Sequence, residues 1–169
     1  MSKVMTFSRA FPAYHPKKGQ PTGFVEKILY GLIKEGFEGC GTELLKHPIV
    51  DTSALNPDEI KWHTIRAGNR WKVGDWFSPR VWSGKPYNSP MITIAPDIQV
   101  KKTFDFQVMP GIYWLNGRWR DGEIESHHEL LETIASNDGL SKYDLLHWFK
   151  EFNKPFKGQI ICWNDKINY

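Results

Sequence analysis

Hydrophobic positions along the chain change period several times, and each change marks an element. Residues 4–11 read as a first strand, closed by a loop over 12–23 in which Pro12, Pro16, Gly19, Pro21 and Gly23 work against regular structure. Phe24, Ile28, Leu29, Leu32 and Ile33 then recur at helical spacing, with Thr22 placed to cap the start and Gly36 to end the run. From Thr64 onward the pattern is mostly strand: 76–82, 91–94, 98–108 and 112–115, separated by Gly and Pro. Asn116-Gly117, set between residues 112–115 and 118–120, is a preferred two-residue turn for a tight hairpin. Two helices follow. The first covers 126–135; the second starts at Ser141, where Ser141 to Asp144 forms a capping box, Leu145, Leu146, Phe149 and Phe152 supply the buried face, and Pro155 stops the run. Residues 159–163 close the chain as a strand that returns into the sheet. Residues 37–60 show no clear period beyond a helix start at Asn56-Pro57. The order helix, strands, helices, strand predicts an α+β domain built around a small, partly closed barrel.

Length and composition narrow the class. The 169 residues fit one domain, 1–169, with enough chain to bury a core without disulfides or a structural metal. No apolar run reaches bilayer length and the N-terminus has no secretory-type apolar stretch, so a membrane is not an expected partner and a cytoplasmic location is expected. Cys40 and Cys162 lie far apart in sequence and are expected to be reduced.

The net charge of +3 is small, but its distribution is uneven. Between Lys61 and Lys85 six basic residues, Lys61, Arg66, Arg70, Lys72, Arg80 and Lys85, face one acid, Asp75. The same stretch holds Trp62, Trp71, Trp76, Phe77 and Trp82. Cations interleaved with aromatics can supply phosphate contacts and base-stacking platforms together; Arg66, Arg70, Lys72, Trp62, Trp76 and Trp82 are the candidate contacts to nucleic acid or substrate. The same arrangement also suits a strand-rich core with cations along its outer face.

The helical segment from Phe24 to Gly31, then Lys61-Trp62-His63-Thr64-Ile65-Arg66, then Gly74-Asp75 before a strand, resembles the ASCH domains of the PUA-like β-barrel superfamily. Asn137-Asp138-Gly139-Leu140-Ser141 and the closing strand extend the resemblance over most of the chain from residue 24. In that family the helix runs almost directly into Lys-x-x-Thr-x-Arg; here about thirty residues intervene, which marks 37–60 as an insertion near the cleft mouth. The resemblance implies binding of RNA or a modified nucleoside. Its best-understood enzymatic branch is an amidohydrolase that removes the acetyl group of N4-acetylcytidine with a Thr nucleophile, a Lys base and a carboxylate acid. By position these would be Thr64, Lys61 and Asp138.

Physical chemistry puts conditions on that assignment. A threonine hydroxyl attacks only when a neighbour takes its proton, and a lysine does so near neutrality only if burial or nearby positive charge lowers its pKa. Arg66 can supply such a charge, and equally suits holding a carboxylate or backbone carbonyls at a barrel end. In a straight strand Lys61 and Thr64 would point to opposite faces, so the chemistry requires a turn or bulge near Trp62-His63. Asp138-Gly139 is also a strong turn signal, as is Gly74-Asp75.

Other chemistries find little support. His127 and His128 are adjacent and diverge on a helix, so they do not form a metal pair, and no Cys/His cluster suggests zinc. Neither a P-loop nor a dinucleotide fingerprint is present, and no cofactor is expected. The expectation is therefore a basic cleft lined by Lys61, Thr64, Arg66 and aromatic neighbours, binding RNA or a modified nucleoside. The alternative is an amidohydrolase acting on N4-acetylcytidine or a related nucleoside, and a weaker one a protein-interaction adaptor that works through 37–60.

Overall fold

The computed structural model describes residues 2–42, 46–47, 49–51, 56, 58–109, 111–121, 124–149 and 155–169. Strand β1 (Lys3–Phe7) buries Met5 and Phe7 and leaves Lys3 and Val4 outside. It is shorter than the expected 4–11, because beyond Phe7 the chain turns away and pairs again only at an isolated bridge between Ala10 and Pro21. Helix α1 (Phe24–Lys34) buries Phe24, Val25, Ile28, Leu29 and Leu32 along one face. Its N-cap is Gly23, at φ 65°, and not Thr22. Thr22 sits one residue earlier, accepting from the Phe24 amide at 3.3 Å and donating to the Ser8 carbonyl at 2.7 Å. At the other end Gly36, at φ 75°, lets its own amide and that of Phe37 reach back to Ile33 and Leu32, the Schellman arrangement that satisfies the last carbonyls.

The remaining elements are β2 (His63–Ala67), β3 (Trp76–Trp82), β4 (Met91–Thr93), β5 (Ile98–Gln99), β6 (Lys102–Met109), β7 (Ile112–Leu115), β8 (Arg118–Asp121), α2 (Glu125–Asn137), α3 (Lys142–Trp148) and β9 (Phe156–Cys162). The class is α+β, as expected, but the described strands pair as two sheets and show no closed barrel. One sheet runs β1-β3-β4 with β5 also on β3, and its β1–β3 pairing is parallel. The other runs β2-β9-β6-β7-β8, antiparallel throughout.

The strand expected over 98–108 is two strands, and the break is where the chain passes between sheets. Val100 exchanges backbone hydrogen bonds with Gly74 and Asp75 on the first sheet's side, and the next amide, Lys101, donates to Cys162 of β9. The Asn116-Gly117 hairpin forms with both residues at positive φ, 45° and 85°, as a type I′ turn requires. Ser141 caps α3 by accepting from the Asp144 amide at 3.0 Å. That helix ends at Trp148, well before Pro155, with Leu145 and Phe149 buried but Leu146 exposed. Phe152 lies outside the described residues. So does Pro57; its described neighbours form a turn in which Asn56 accepts from the amides of Asp58 and Glu59.

Strand β9 is covered on both faces. Ile160 and Cys162 join a core with Phe106, Tyr113, Leu131, Ile134 and Leu145, beneath α2 and α3. Ile161 and the following Trp163 join the other core, with Phe7, Ile28, Leu29, Phe77 and Val81, beneath α1. A strand buried on both sides reads as a continuous apolar run, which is how 160–163 reads. No helix among the described residues is long and apolar enough to cross a membrane.

Gly158 of β9 faces Ala67 of β2, and a Cβ there would collide with the Arg66 carbonyl and the Phe156 ring. Gly158→Ala is expected to lower stability by at least about 2 kcal/mol, because backbone must move. Gly19→Ala, at φ 75° but with nothing within 4 Å, should cost only about 1 kcal/mol of backbone strain. Urea denaturation of both variants checks the ordering.

Candidate active site

The Lys-x-x-Thr-x-Arg segment is not a straight strand. Regular pairing of β2 begins at His63; Trp62 lies outside it, donating its amide to Asn137 at 2.8 Å and accepting from the Trp163 amide at 3.2 Å. Lys61 meets Asp138 in an isolated bridge. The irregularity brings Lys61, Thr64, Arg66 and Asp138 around one small cavity of about 50 Å³, walled by Phe7, Phe24 and Phe149.

Asp138 is held by the way α2 ends. It is the C-cap residue, Gly139 follows at φ 75°, and the amides of Gly139 and Leu140 return to the Ser136 and Ala135 carbonyls. The Asp138-Gly139 turn signal is thus a helix terminus. The last turn of α2 carries no basic residue, and lysines from elsewhere take the carbonyls beyond it. Lys61 Nζ donates to the Asp138 carbonyl at 2.6 Å and to its Oδ1 at 2.7 Å, while Lys27 Nζ donates to the Gly139 carbonyl at 2.8 Å. Both cations sit at the negative end of the helix dipole.

Lys61 is only 1% exposed, and its ammonium lies 4.1 Å from the centre of the Phe24 ring. Burial pushes its pKa down to about 8; the Asp138 charge and hydrogen bond oppose the shift, and Arg66 and Lys27 add to it. Burial would raise the Asp138 pKa, but Lys61 and His63 hold the carboxyl below the usual range. Asp138 is therefore ionised near neutrality and has no proton to donate, so the acid role implied by the family resemblance does not suit it. Thr64 is buried on β2, opposite Ile161 of β9. Arg66 donates through Nη2 to the Thr6 carbonyl of β1, tying the two sheets together, and its guanidinium packs over the Phe7 ring at 5.3 Å. Its Nε is buried and has no hydrogen-bond partner among the described residues.

Phe7, Ser8, Phe24 and Arg66 also line a larger cleft, of about 690 Å³, so the cavity and the cleft share these walls. Arg9, Glu26, Asp51 and Trp82 line it too, and at its rim the exposed Tyr87 ring lies 5.3 Å from Trp82. This cleft is mixed in charge, since Arg9 and Arg66 share it with Glu26 and Asp51. From the 37–60 stretch, Ile49 and Asp51 reach this lining.

No family model, curated protein or solved structure matches the chain.

The other sequence candidates lie elsewhere. Trp62 is packed between both cores and against Gly31 of α1. Arg70, Lys72 and Trp76 are exposed and line neither the cavity nor the cleft. They group with the Lys3–Asp75 ion pair, where Lys3 also reaches the Arg70 carbonyl and Asp75 accepts from the Lys72 amide. Sequence reasoning passed over Phe24, Lys27, His63 and Tyr87. The first two lie three apart on one helix face ahead of the motif, and His63 lies inside the motif; those were the available signals.

Asp138→Asn leaves a buried ammonium without its counter-charge and should cost about 3–5 kcal/mol in denaturant unfolding. Lys61→Met combined with Asp138→Asn should cost less than the sum of the single changes. Because the folded-state pKa of Asp138 is depressed, its ionised form stabilises the fold above the ordinary carboxylate pKa, and that contribution is lost as pH falls through the folded value. Asp138→Asn should flatten this acid limb of the stability profile.

Proposed function

We propose that the chain is an amidohydrolase acting on an N-acylated nucleobase or nucleoside, N4-acetylcytidine being the type substrate. The observation that carries this is the convergence of Lys61, Thr64 and Arg66 on one small pocket, with the lysine buried and its pKa lowered to about 8. The same reading takes the two sheets as a PUA-like architecture, supported by the order of helix, motif strand, hairpins, helices and closing strand. The cytoplasmic location goes with it, supported by Cys40 and Cys162 both being free thiols.

In this scheme neutral Lys61 takes the Thr64 hydroxyl proton as the oxygen attacks the acyl carbonyl. Arg66 Nε is the donor available to the oxyanion that develops. Collapse breaks the C–N bond, and the Lys61 ammonium returns the proton to the departing nitrogen. Water then cleaves the threonyl ester, releasing the carboxylic acid and restoring Thr64. Asp138 works through Lys61, holding its ammonium in place. The cleft takes the base, with Trp82 and Tyr87 as the stacking surface and Glu26 and Asp51 as acceptors for its N–H groups or ribose hydroxyls.

A second reading, a binding module for RNA or a modified nucleoside, draws on the Trp82–Tyr87 pair beside Arg9 and Arg66. The assay that separates the two follows free cytidine and acetate released from N4-acetylcytidine. Thr64→Ala should reduce turnover at least about 100-fold while leaving nucleoside binding nearly intact. Lys61 acts as base only when deprotonated, so the rate should rise with pH, level off above about 8, and fall tenfold per pH unit well below it. Tyr87→Ala should raise KM and spare kcat, by the roughly 1–3 kcal/mol of a stacking contact. Equal rates for wild type and Thr64→Ala would remove Thr64 as nucleophile. A wild type inactive on several acylated nucleosides would leave the binding module.

A further inference from the structure

One fully buried imidazole beside Lys61 has no part in the steps above. His63 opens β2, opposite Cys162 of β9, and none of its surface reaches solvent. Its Nδ1 lies 3.4 Å from Asp138 Oδ1, the same oxygen that receives Lys61 Nζ at 2.7 Å. Neither ring nitrogen has an aligned hydrogen bond among the described residues. The ring meets Tyr169 edge-on, centroids 5.8 Å apart, and the Ile134 carbonyl of α2 faces it. An apolar side chain would fill this place without burying two polar atoms, a burial that costs about 1–3 kcal/mol for each one left unsatisfied. The contact with Asp138 is what an imidazole adds.

We propose that His63 is a positioning residue acting through Asp138: as the neutral tautomer protonated at Nδ1, it turns that N–H toward Oδ1, divides the carboxylate between two donors, and so eases loss of the proton from Lys61. With His63 in place, the positive end of an N–H dipole shares the oxygen that otherwise serves the ammonium alone. The carboxylate then stabilises the lysine charge less, and its orientation is set from a second side. The charged groups around Lys61 are Asp138 of α2, Arg66 of β2 and Lys27 of α1; around His63 they are Asp138 and Lys61, with Tyr169 and Cys162 as further titratable neighbours. Burial drives His63 toward its neutral form, with Asp138 opposing, which is the state the contact needs. The effect on rate rests on the amidohydrolase reading, whereas the tautomer and the Lys61 titration do not.

The test combines nitrogen NMR of the histidine rings with side-chain NMR titration of Lys61, in wild type and in His63→Leu and His63→Asn. Asn places an amide N–H near the Nδ1 position, and Leu keeps the bulk without a donor. In wild type His63 should carry its proton on Nδ1 near neutral pH. His63→Leu should raise the proton affinity of Lys61 about tenfold, and His63→Asn should keep it within about twofold of wild type. The acid limb of the pH–rate profile should move to higher pH in His63→Leu and stay in place in His63→Asn. An Nε2-protonated ring overturns the proposal, as does a Lys61 titration that is unmoved in His63→Leu or moves equally in both variants. Should His63→Leu not fold, His63→Gln, whose amide reaches the Nε2 position, takes its place in the comparison. A wild type without hydrolase activity would remove the reaction, and the two NMR measurements would still decide the role of His63.

Discussion

The buried contact between Lys61 and Asp138 is the constraint around which the other elements are arranged. Each ion loses several kcal/mol of hydration on burial, a loss offset by their opposite charges and by the polar and aromatic groups around the pair. Lys61 reaches a carbonyl, a carboxylate and the face of Phe24; Asp138 receives Lys61 and has His63 alongside. These partners come from α1, from the segment leading into β2, and from the end of α2. The pair can therefore form only when α1 is packed, β2 is in the sheet and α2 stops at Asp138. Gly139 belongs to the same constraint, since a Cβ there would lie 3.1–3.3 Å from the stems of Lys27 and Lys61.

The position of the cleft follows from how the two sheets are joined. Strand β9 contributes to both cores, and the chain passes from one sheet to the other at Val100 and Lys101. Arg66 closes the seam from the opposite direction, from β2 to the Thr6 carbonyl of β1. Its aliphatic stem and Nη2 thus serve the fold, while its buried Nε has no hydrogen-bond partner among the described residues. A residue that closes the seam and lines the cavity explains how the two come to share a wall.

Charge that is contiguous in sequence is dispersed in space. Of the basic residues between positions 61 and 85, Lys61 is buried against Asp138, Arg66 spans the seam, Arg80 donates to the Ser78 hydroxyl, and Arg70 and Lys72 face solvent near Asp75. A run of cations on an extended chain alternates between faces and turns with each loop, so it does not add up to one basic channel. The cleft draws its acids, Glu26 and Asp51, from α1 and from the 37–60 stretch, both outside that run.

The sequence by itself determined the elements whose signals are local. The amphipathic period of α1, the Asn116-Gly117 turn, the Ser141 cap and the apolar run of β9 each have causes within a few residues, and each is found in place. The order of motifs also picked out Lys61, Thr64, Arg66 and Asp138, which share one cavity. Tertiary structure decided what depends on residues far apart in the chain. Whether 98–108 is one strand or two turns on which sheet offers backbone partners, and the Val100 amide finds Asp75 while that of Lys101 finds Cys162. Whether Lys61 and Thr64 can meet one substrate turns on a break at Trp62, made by backbone bonds to Asn137 and Trp163 about a hundred or fewer residues away. The lowered pKa of Lys61 comes from burial and the ionised state of Asp138 from Lys61 and His63 packed beside it; neither has a sequence signature, because both depend on everything packed around a charge.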